Sequence, residues 1–229
     1  MKILAVDSCS SAATCALISD GKLTAEIVLN DKKTHSVKLL PQIEHMLNAA
    51  DADISEIDYF AVTTGPGSFT GQRIGVATVK GLAHGSGKPC VGVSSLEAMS
   101  RNVPFAEALV CPIMDARRQQ VYTASFKDSK RLTPDRAIAL DDLLTEVEGE
   151  NTLFLGDGVE SFREIITQRM GEKALFPPIH LIHLRASSVA ELAISYIENN
   201  GATTAHELLP TYLRLSQAER ERIERGNTK

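Results

Sequence analysis

The chain has 229 residues, 43% of them hydrophobic and 23% charged, an ordinary composition for a folded soluble protein. A formal net charge of −5 argues against gripping a phosphate backbone unaided, so a nucleic-acid role must run through a partner or a local basic patch. Four scattered cysteines (Cys9, Cys15, Cys90, Cys111), with no Cys-x-x-Cys pair, exclude a disulfide scaffold and fit reduced thiols in a cytoplasm.

Met1 to Asp7 has one lysine and a short apolar run that reaches a charge at once, which predicts a buried strand and not a signal peptide. No stretch approaches the roughly 20 apolar residues of a membrane span. Ala12 to Ser19 and Leu23 to Leu29 are two further apolar runs, and Asp20-Gly21 between them suits a tight hairpin. Leu39, Leu40, Ile43, Met46 and Leu47 recur at helical spacing and predict a helix over 36–50, with Pro41 in its early turns. Tyr59 to Thr63 reads as a strand, Gly65-Pro66-Gly67 as a forced turn, and 69–84 as a second helix. A strand over 89–93 and a short helix over 94–101 follow. Asn102-Val103-Pro104, polar and ending in a helix breaker, divides a first lobe (1–104) from a second (105–229).

The pattern then restarts. Leu109 to Asp115 is again a strand ending in aspartate, and 121–126 and 131–140 supply strand material around the turn-prone Lys127-Asp128-Ser129. A helix over 143–147, a strand over 153–155 capped by Gly156-Asp157-Gly158, and helices over 161–170 and 187–199 complete the second pass. Strand-turn-strand followed by alternating helix and strand, twice, predicts a duplicated α/β lobe with a compressed second copy. The C-terminal segment can also pack back on the first lobe. Gln217 to Arg225, polar and alternating in charge, reads as a solvated helix or frayed tail.

Asp7 and Ser8 end the first strand as a carboxylate and a hydroxyl in a turn, an arrangement that can hold a phosphate and its magnesium; a polar turn satisfying its own amides is the plainer reading. Gly65, Gly67 and Ser68 lie in a strand-to-helix turn where backbone N–H groups can converge on an anion. It is not a Walker loop, because Thr70 stands where the second glycine belongs. Packing explains these glycines equally well, and it is the better account of Gly71, Gly75, Gly81 and Gly85 at four-residue spacing. Asp115 mirrors Asp7 and would face it across a cleft, so a remnant nucleotide site is expected there. Arg117 and Arg118 follow at a turn. His180 and His183 lie three apart in a segment that reads as extended, which would put them on opposite faces, and His35, His45 and His84 read as capping or ordinary helix residues. Neither a metal site nor a nucleophile–base pair is expected.

The run from Thr63 to Pro89, Asp7 before it, Met114-Asp115-Ala116-Arg117-Arg118-Gln119-Gln120-Val121-Tyr122 after it, and Leu209-Pro210-Thr211-Tyr212-Leu213-Arg214 near the end resemble the TsaB (YeaZ) family over nearly the whole chain. The resemblance implies an α/β fold of duplicated actin/hexokinase-like (ASKHA, ribonuclease H-like) lobes with the second reduced. It also implies a bacterial subunit that pairs with the related catalytic protein TsaD, joined by the ATPase TsaE, in attaching threonylcarbamoyl to the tRNA adenosine beside the anticodon. TsaD-like proteins carry a metal-binding His-x-x-x-His on the helix that here reads Ser95-Leu96-Glu97-Ala98-Met99, and a serine and a thioether are poor substitutes for that histidine pair.

The expectation is therefore a non-catalytic scaffold or dimerisation subunit, cytoplasmic and touching tRNA only indirectly. It has no cofactor of its own, and a nucleotide is placed, if anywhere, where it meets its partner. The apolar helices over 36–50 and 69–84 are the expected interface, through Leu39, Ile43, Met46, Gly71, Ile74, Gly75 and Thr78, and the same patch can form a homodimer when the chain is alone. On this reading a charge at Ile43 or Ile74 abolishes complex formation with the fold intact. The rival readings are an independent ATP-dependent kinase or transferase of the same fold and, behind it, a peptidase.

Overall fold

The structure, a computed structural model, describes residues 1–31 and 35–214. The tail reading at Gln217 to Arg225 lies outside the described residues. The first lobe opens with β1 (Lys2–Asp7), β2 (Ala13–Ser19) and β3 (Lys22–Leu29), then α1 (His35–Ala49), β4 (Tyr59–Gly65), α2 (Phe69–Ser86), β5 (Cys90–Ser94) and α3 (Ser95–Ser100). The second contains β6 (Leu109–Asp115), β7 (Gln120–Thr123), β8 (Phe126–Lys127), β9 (Lys130–Arg131), β10 (Arg136–Ala139), α4 (Leu140–Glu146), β11 (Thr152–Leu155), α5 (Gly158–Met170) and β12 (Ala174–Leu175), and α6 (Ala186–Glu198) follows. Sheet order is β3-β2-β1-β4-β5 in one lobe and β10-β7-β6-β11-β12 in the other, with β8 and β9 attached beside β6. In both, the first two connections are antiparallel and the last two parallel. The duplication expected from the sequence is real.

Local chemistry explains the turns. Asp20 and Gly21 both take positive φ (50° and 75°), which closes the β2–β3 hairpin in the direction of the strand twist. Asp128 and Ser129 do the same between β8 and β9. The expected strands over 121–126 and 131–140 are each interrupted, the second at the Thr133-Pro134 corner, where proline has no N–H to give to a ladder. His180 lies in a 3-10 turn over Ile179–Leu181 instead of the expected extended segment, because Pro178 leads into the turn and its carbonyl accepts from Leu181 N at 2.9 Å.

The second lobe is shorter than the expected 105–229, because the C-terminal segment does return to the first lobe. α6 packs on β1, β2, β4 and β5 and belongs to the first lobe, although it follows the whole second lobe in the chain. Leu184, Val189, Leu192 and Ala193 are buried there with Ile3, Ala5, Ala61 and Val91. Thr203 then pairs with Cys90 as an isolated bridge. The same cluster runs on through Met114, Phe126 and Leu155, so one core joins the lobes. No helix among the described residues is long and apolar enough to cross a membrane.

The other face of the first sheet is covered by α1 and α2, and here the assigned interface residues are corrected too. Leu39, Ile43 and Met46 are each 1% exposed and pack with Leu4, Val6, Phe60 and Val62. They form this chain's own core because the stripe at i, i+3/i+4 and i+7 must cover the sheet before anything else can. Gly71 and Gly75 also face inward: a Cβ at Gly71 would lie 1.9 Å from Ser8 O, and one at Gly75 2.6 Å from Ser8 Oγ. Gly81 and Gly85 have open space where a Cβ would go. Only Ile74 and Thr78 of the assigned set are partly exposed.

These differences set distinct stabilities. Ile43→Asp should unfold the chain instead of sparing the fold, since it leaves a carboxylate in a closed apolar cluster. Gly71→Ala should cost about 2 kcal/mol or more through overpacking against Ser8, whereas Gly81→Ala should stabilise by about 0.5–1 kcal/mol through helix propensity. Urea titrations of the three variants check this, and equal midpoints for the two alanine variants would show that the glycines are not differentiated as described.

Candidate functional site

The two lobes meet at a cleft of about 630 Å³, bordered by Cys9 to Ser11, the Pro66 to Thr70 turn, Met114 to Arg117, Asp157 and Glu160, and Tyr212 to Arg214. The carboxyl ends of β1, β4, β6 and β11 deliver these segments, the usual place for a ligand on an open α/β sheet.

Asp7 does not reach it. The residue is fully buried, and its Oδ1 accepts from Cys9 N at 3.0 Å and from the Thr63 hydroxyl, while Oδ2 accepts from Ser10 Oγ at 2.9 Å. Burial pushes its carboxyl up, and those hydrogen bonds pull it back down. Ser8 is likewise buried and donates to Gly71 O at 2.8 Å. The expected phosphate and magnesium role for Asp7 and Ser8 is thus replaced by a structural one, because Asp7 ties the turn after β1 to itself and to β4 while Ser8 seats it on α2.

Gly65 and Gly67 have φ of +127° and +154°, which side chains rarely adopt. A Cβ at Gly67 would stand 2.4 Å from Cys9 O, and Ser68 N donates to that same oxygen at 2.8 Å. Packing therefore accounts for this turn, and one N–H of the expected anion cradle is already occupied. Ser68 caps α2 by accepting from Gly71 N at 3.2 Å.

Asp115 does border the cleft, as the duplication suggested. Its carboxylate accepts from Arg117 N at 2.7 Å and pairs with Arg117 Nη1 at 3.3 Å. Arg117, Arg118 and Gln119 are all at positive φ, between 55° and 65°, an unusual run for residues with side chains.

The Leu209 to Arg214 segment straps the cleft. Thr211 N donates to Thr64 O at 2.8 Å, Tyr212 stacks on Phe69 with centroids 4.6 Å apart, and Arg73 lies over Phe69 and donates to the Tyr212 hydroxyl at 2.9 Å. Arg214 Nη1 then reaches Ala116 O at 2.7 Å, joining the end of the first lobe to the second. Sequence reasoning marked this motif without a role for it.

Asp157 is the residue that sequence reasoning passed over. It sits at the N-terminus of α5 and accepts from Ser11 N across the cleft at 3.0 Å through Oδ2, and the Asp115 backbone also stabilises its charged form. Burial, with Asp7 and Asp115 adding like charge, pushes its carboxyl up to about 6. The signal was its position: Gly156-Asp157-Gly158 is the second lobe's counterpart of Gly65-Pro66-Gly67.

Ser95 and Met99, which replace the histidine pair, are both fully buried and face the core instead of the cleft. Among the described residues, no group of three or more His, Cys, Asp or Glu could hold a metal ion. Cys9 borders the cleft, but burial and the Asp7 charge push its thiol far above the usual range, which leaves it a poor nucleophile.

Two sheets of one topology enclosing a cleft at their strand ends, joined through a shared core, make this an actin/hexokinase-type protein. A likeness in fold alone extends to ethanolamine utilization protein EutJ from Carboxydothermus hydrogenoformans, 12% identical over 83% of this chain and 89% of that one, with a TM-score of 0.55. Residues 22–222 match the family model described as TsaD: tRNA N6-adenosine threonylcarbamoyltransferase. The tRNA threonylcarbamoyladenosine biosynthesis protein TsaB of Bacillus subtilis is 34% identical over 98% of this chain and 99% of its own length. YeaZ from Pseudomonas aeruginosa superposes with a TM-score of 0.74 at 25% identity, covering 93% of this chain and 99% of that one. The chain belongs to the TsaB family of tRNA threonylcarbamoyladenosine biosynthesis proteins.

The raised Asp157 carboxyl gives a pH-dependent stability. The native state holds this proton more tightly than the unfolded state, so stability falls as pH rises from about 4 through about 6, and the loss is complete above that. Asp157→Asn keeps an acceptor for Ser11 N and removes the charge. It should stabilise by about 2–3 kcal/mol at pH 8 and by almost nothing at pH 4. Denaturation of both proteins across this range checks it, and a pH-independent difference would sink the assignment.

Proposed function

We propose that this protein is a non-catalytic subunit that binds a TsaD-like catalytic protein and activates it for threonylcarbamoylation of the tRNA adenosine adjacent to the anticodon. The observation that carries the reading is the outer surface of α1 and α2. After the inward stripe is accounted for, Val37 is still 70% exposed and Leu40 52% exposed, beside Pro41. Alongside the exposed Arg73 and His84, the outward residues of α2 include a run of small or apolar ones: Ile74, Ala77, Thr78, Gly81 and Gly85. Small residues let a second helix approach closely, and large exposed apolar ones gain by being covered. Two helices offered this way suit a helix bundle with two helices of a partner. The same surface would pair with a second copy when the catalytic protein is absent.

On this reading the subunit contributes no reacting group. Its docking favours the active arrangement of its partner, which requires tighter binding to that state than to the inactive one. The TsaE-like ATPase joins the assembled pair, and contact with tRNA runs through the catalytic protein, in keeping with the −5 net charge. A second reading, an independent ATP-dependent kinase or transferase, retains Asp115 in its favour; the buried, hydrogen-bonded Asp7 weighs against it.

Leu40→Asp and Gly81→Arg, both outside the core, should lower affinity for the TsaD-like protein by roughly tenfold or more while leaving the fold intact. Calorimetric titration and reconstituted tRNA modification measure this. Unchanged affinity in both variants, or ATP turnover by the purified chain alone, would overturn the proposal.

A further inference from the structure

The rim of the cleft is built in two ways. Cys9 to Ser11 leave β1, Pro66 to Thr70 lead into α2, Met114 to Arg117 leave β6, and Asp157 and Glu160 stand at the start of α5. Each of these segments is carried by a sheet or a helix. The Leu209 to Arg214 strap belongs to neither.

Its base is fixed all the same. Leu208 is 3% exposed, in one cluster with Val62, Val79 and Cys90, and Lys80 Nζ donates to Leu208 O at 3.0 Å and His206 O at 3.2 Å. Past Leu208 the character of the chain changes. No strap side chain is buried, and Leu209 is 66% and Tyr212 41% exposed. Among the described residues, Thr211 N to Thr64 O is the strap's single backbone–backbone hydrogen bond. Gly65 makes the seat for that contact, since a Cβ there would stand 2.6 Å from Thr211 O.

The outer end is held by side chains at the surface. The Arg73 guanidinium lies 4.0 Å from the Phe69 ring centre and 5.7 Å from that of Tyr212, and Arg214 reaches Ala116 O. Stacking, cation–π contact and hydrogen bonding are each modest where water competes. A segment with few buried apolar contacts opens locally while the domain around it stays folded. The lobes themselves share one core, and Arg131 ties Glu97 to Asp135 between them, so the strap can lift without parting them.

We propose that Leu209 to Arg214 is a gate on the interlobe cleft, hinged just after Leu208 and latched by Tyr212 on Phe69 and Arg73. Opening breaks the Thr211–Thr64 and Arg214–Ala116 hydrogen bonds and leaves both sheets in place. Arg73 is the release point, because it is exposed on α2 and an anionic group that pairs with it competes with the Tyr212 hydroxyl. The gate does not depend on the α1–α2 docking reading.

Amide NMR on the full chain tests this with TEMPOL, a soluble nitroxide that broadens the signals it can approach. The Ser11 and Gly67 amides in the cleft should broaden more in Tyr212→Ala and Arg73→Ala than in the native chain. Tyr212→Phe, which keeps the stack and loses the hydroxyl, should fall between. Hydrogen exchange at Thr211 should quicken roughly tenfold in both alanine variants, with urea midpoints unchanged. Equal TEMPOL broadening in all four proteins would overturn the gate, even with faster exchange at Thr211. So would native Thr211 exchange with the same urea dependence as Val62 in β4, which would mean that the strap opens only with the core. A lowered urea midpoint in the alanine variants would make the strap part of the fold's support and would equally sink the proposal.

Discussion

The seating of the turn after β1 on α2 is the contact from which the rest of this structure follows. Ser8 lies against Gly71 and Gly75 with no room for a Cβ, Cys9 O receives Ser68 N, and the Asp7 carboxylate is enclosed by Cys9, Ser10 and Thr63. In one stroke this fixes the α2 axis against the sheet, orients the Gly65 to Ser68 turn, and keeps the Asp7 carboxylate out of the cleft. Close backbone approach of this kind tolerates no compromise, because interiors are packed like crystals. The Asp7 carboxylate is spent on holding this turn.

The lobes are tied together at several points around that contact. Arg131 of the β9 strand reaches Glu97 on α3 at 2.8 Å and also Asp135, which accepts from Ser94 at 2.6 Å. Ser11 and Asp157 meet across the cleft, and Arg214 closes the strap. Beneath them a single apolar cluster crosses from one sheet to the other. Hinge opening would have to break all of these, which suits a body that presents a fixed outer surface better than one that closes on a substrate.

The succession of strands and helices, the two hairpins and the repeated lobe were legible in the sequence, since they rest on local signals: apolar runs, Asp20-Gly21, Lys127-Asp128-Ser129, and two strands ending in aspartate. The burial of Leu39, Ile43 and Met46 was not, because a helix pattern with apolar residues on two sides shows that both sides need cover without showing which one the sheet takes. Leu40, next to the buried Leu39, turned out to be exposed, and so did Val37 three residues before it. The Gly71/Gly75 and Gly81/Gly85 pairs read alike at four-residue spacing, yet only the first pair meets another backbone. Asp157 escaped notice because an aspartate in a Gly-x-Gly turn is ordinary, and its significance comes from a neighbour, Ser11, 146 residues away.

The placement of α6 bears on how the protein is made. Its side chains complete one face of a sheet whose strands are finished by Ser94, yet they leave the ribosome only after the entire second lobe has been synthesised. Until then the nascent first half carries an uncovered apolar face, and the contacts that close it span most of the chain, a topology that folds slowly and exposes intermediates to aggregation. A fragment ending before Ala186 should therefore be sought in inclusion bodies rather than in solution, however complete its five strands look on paper.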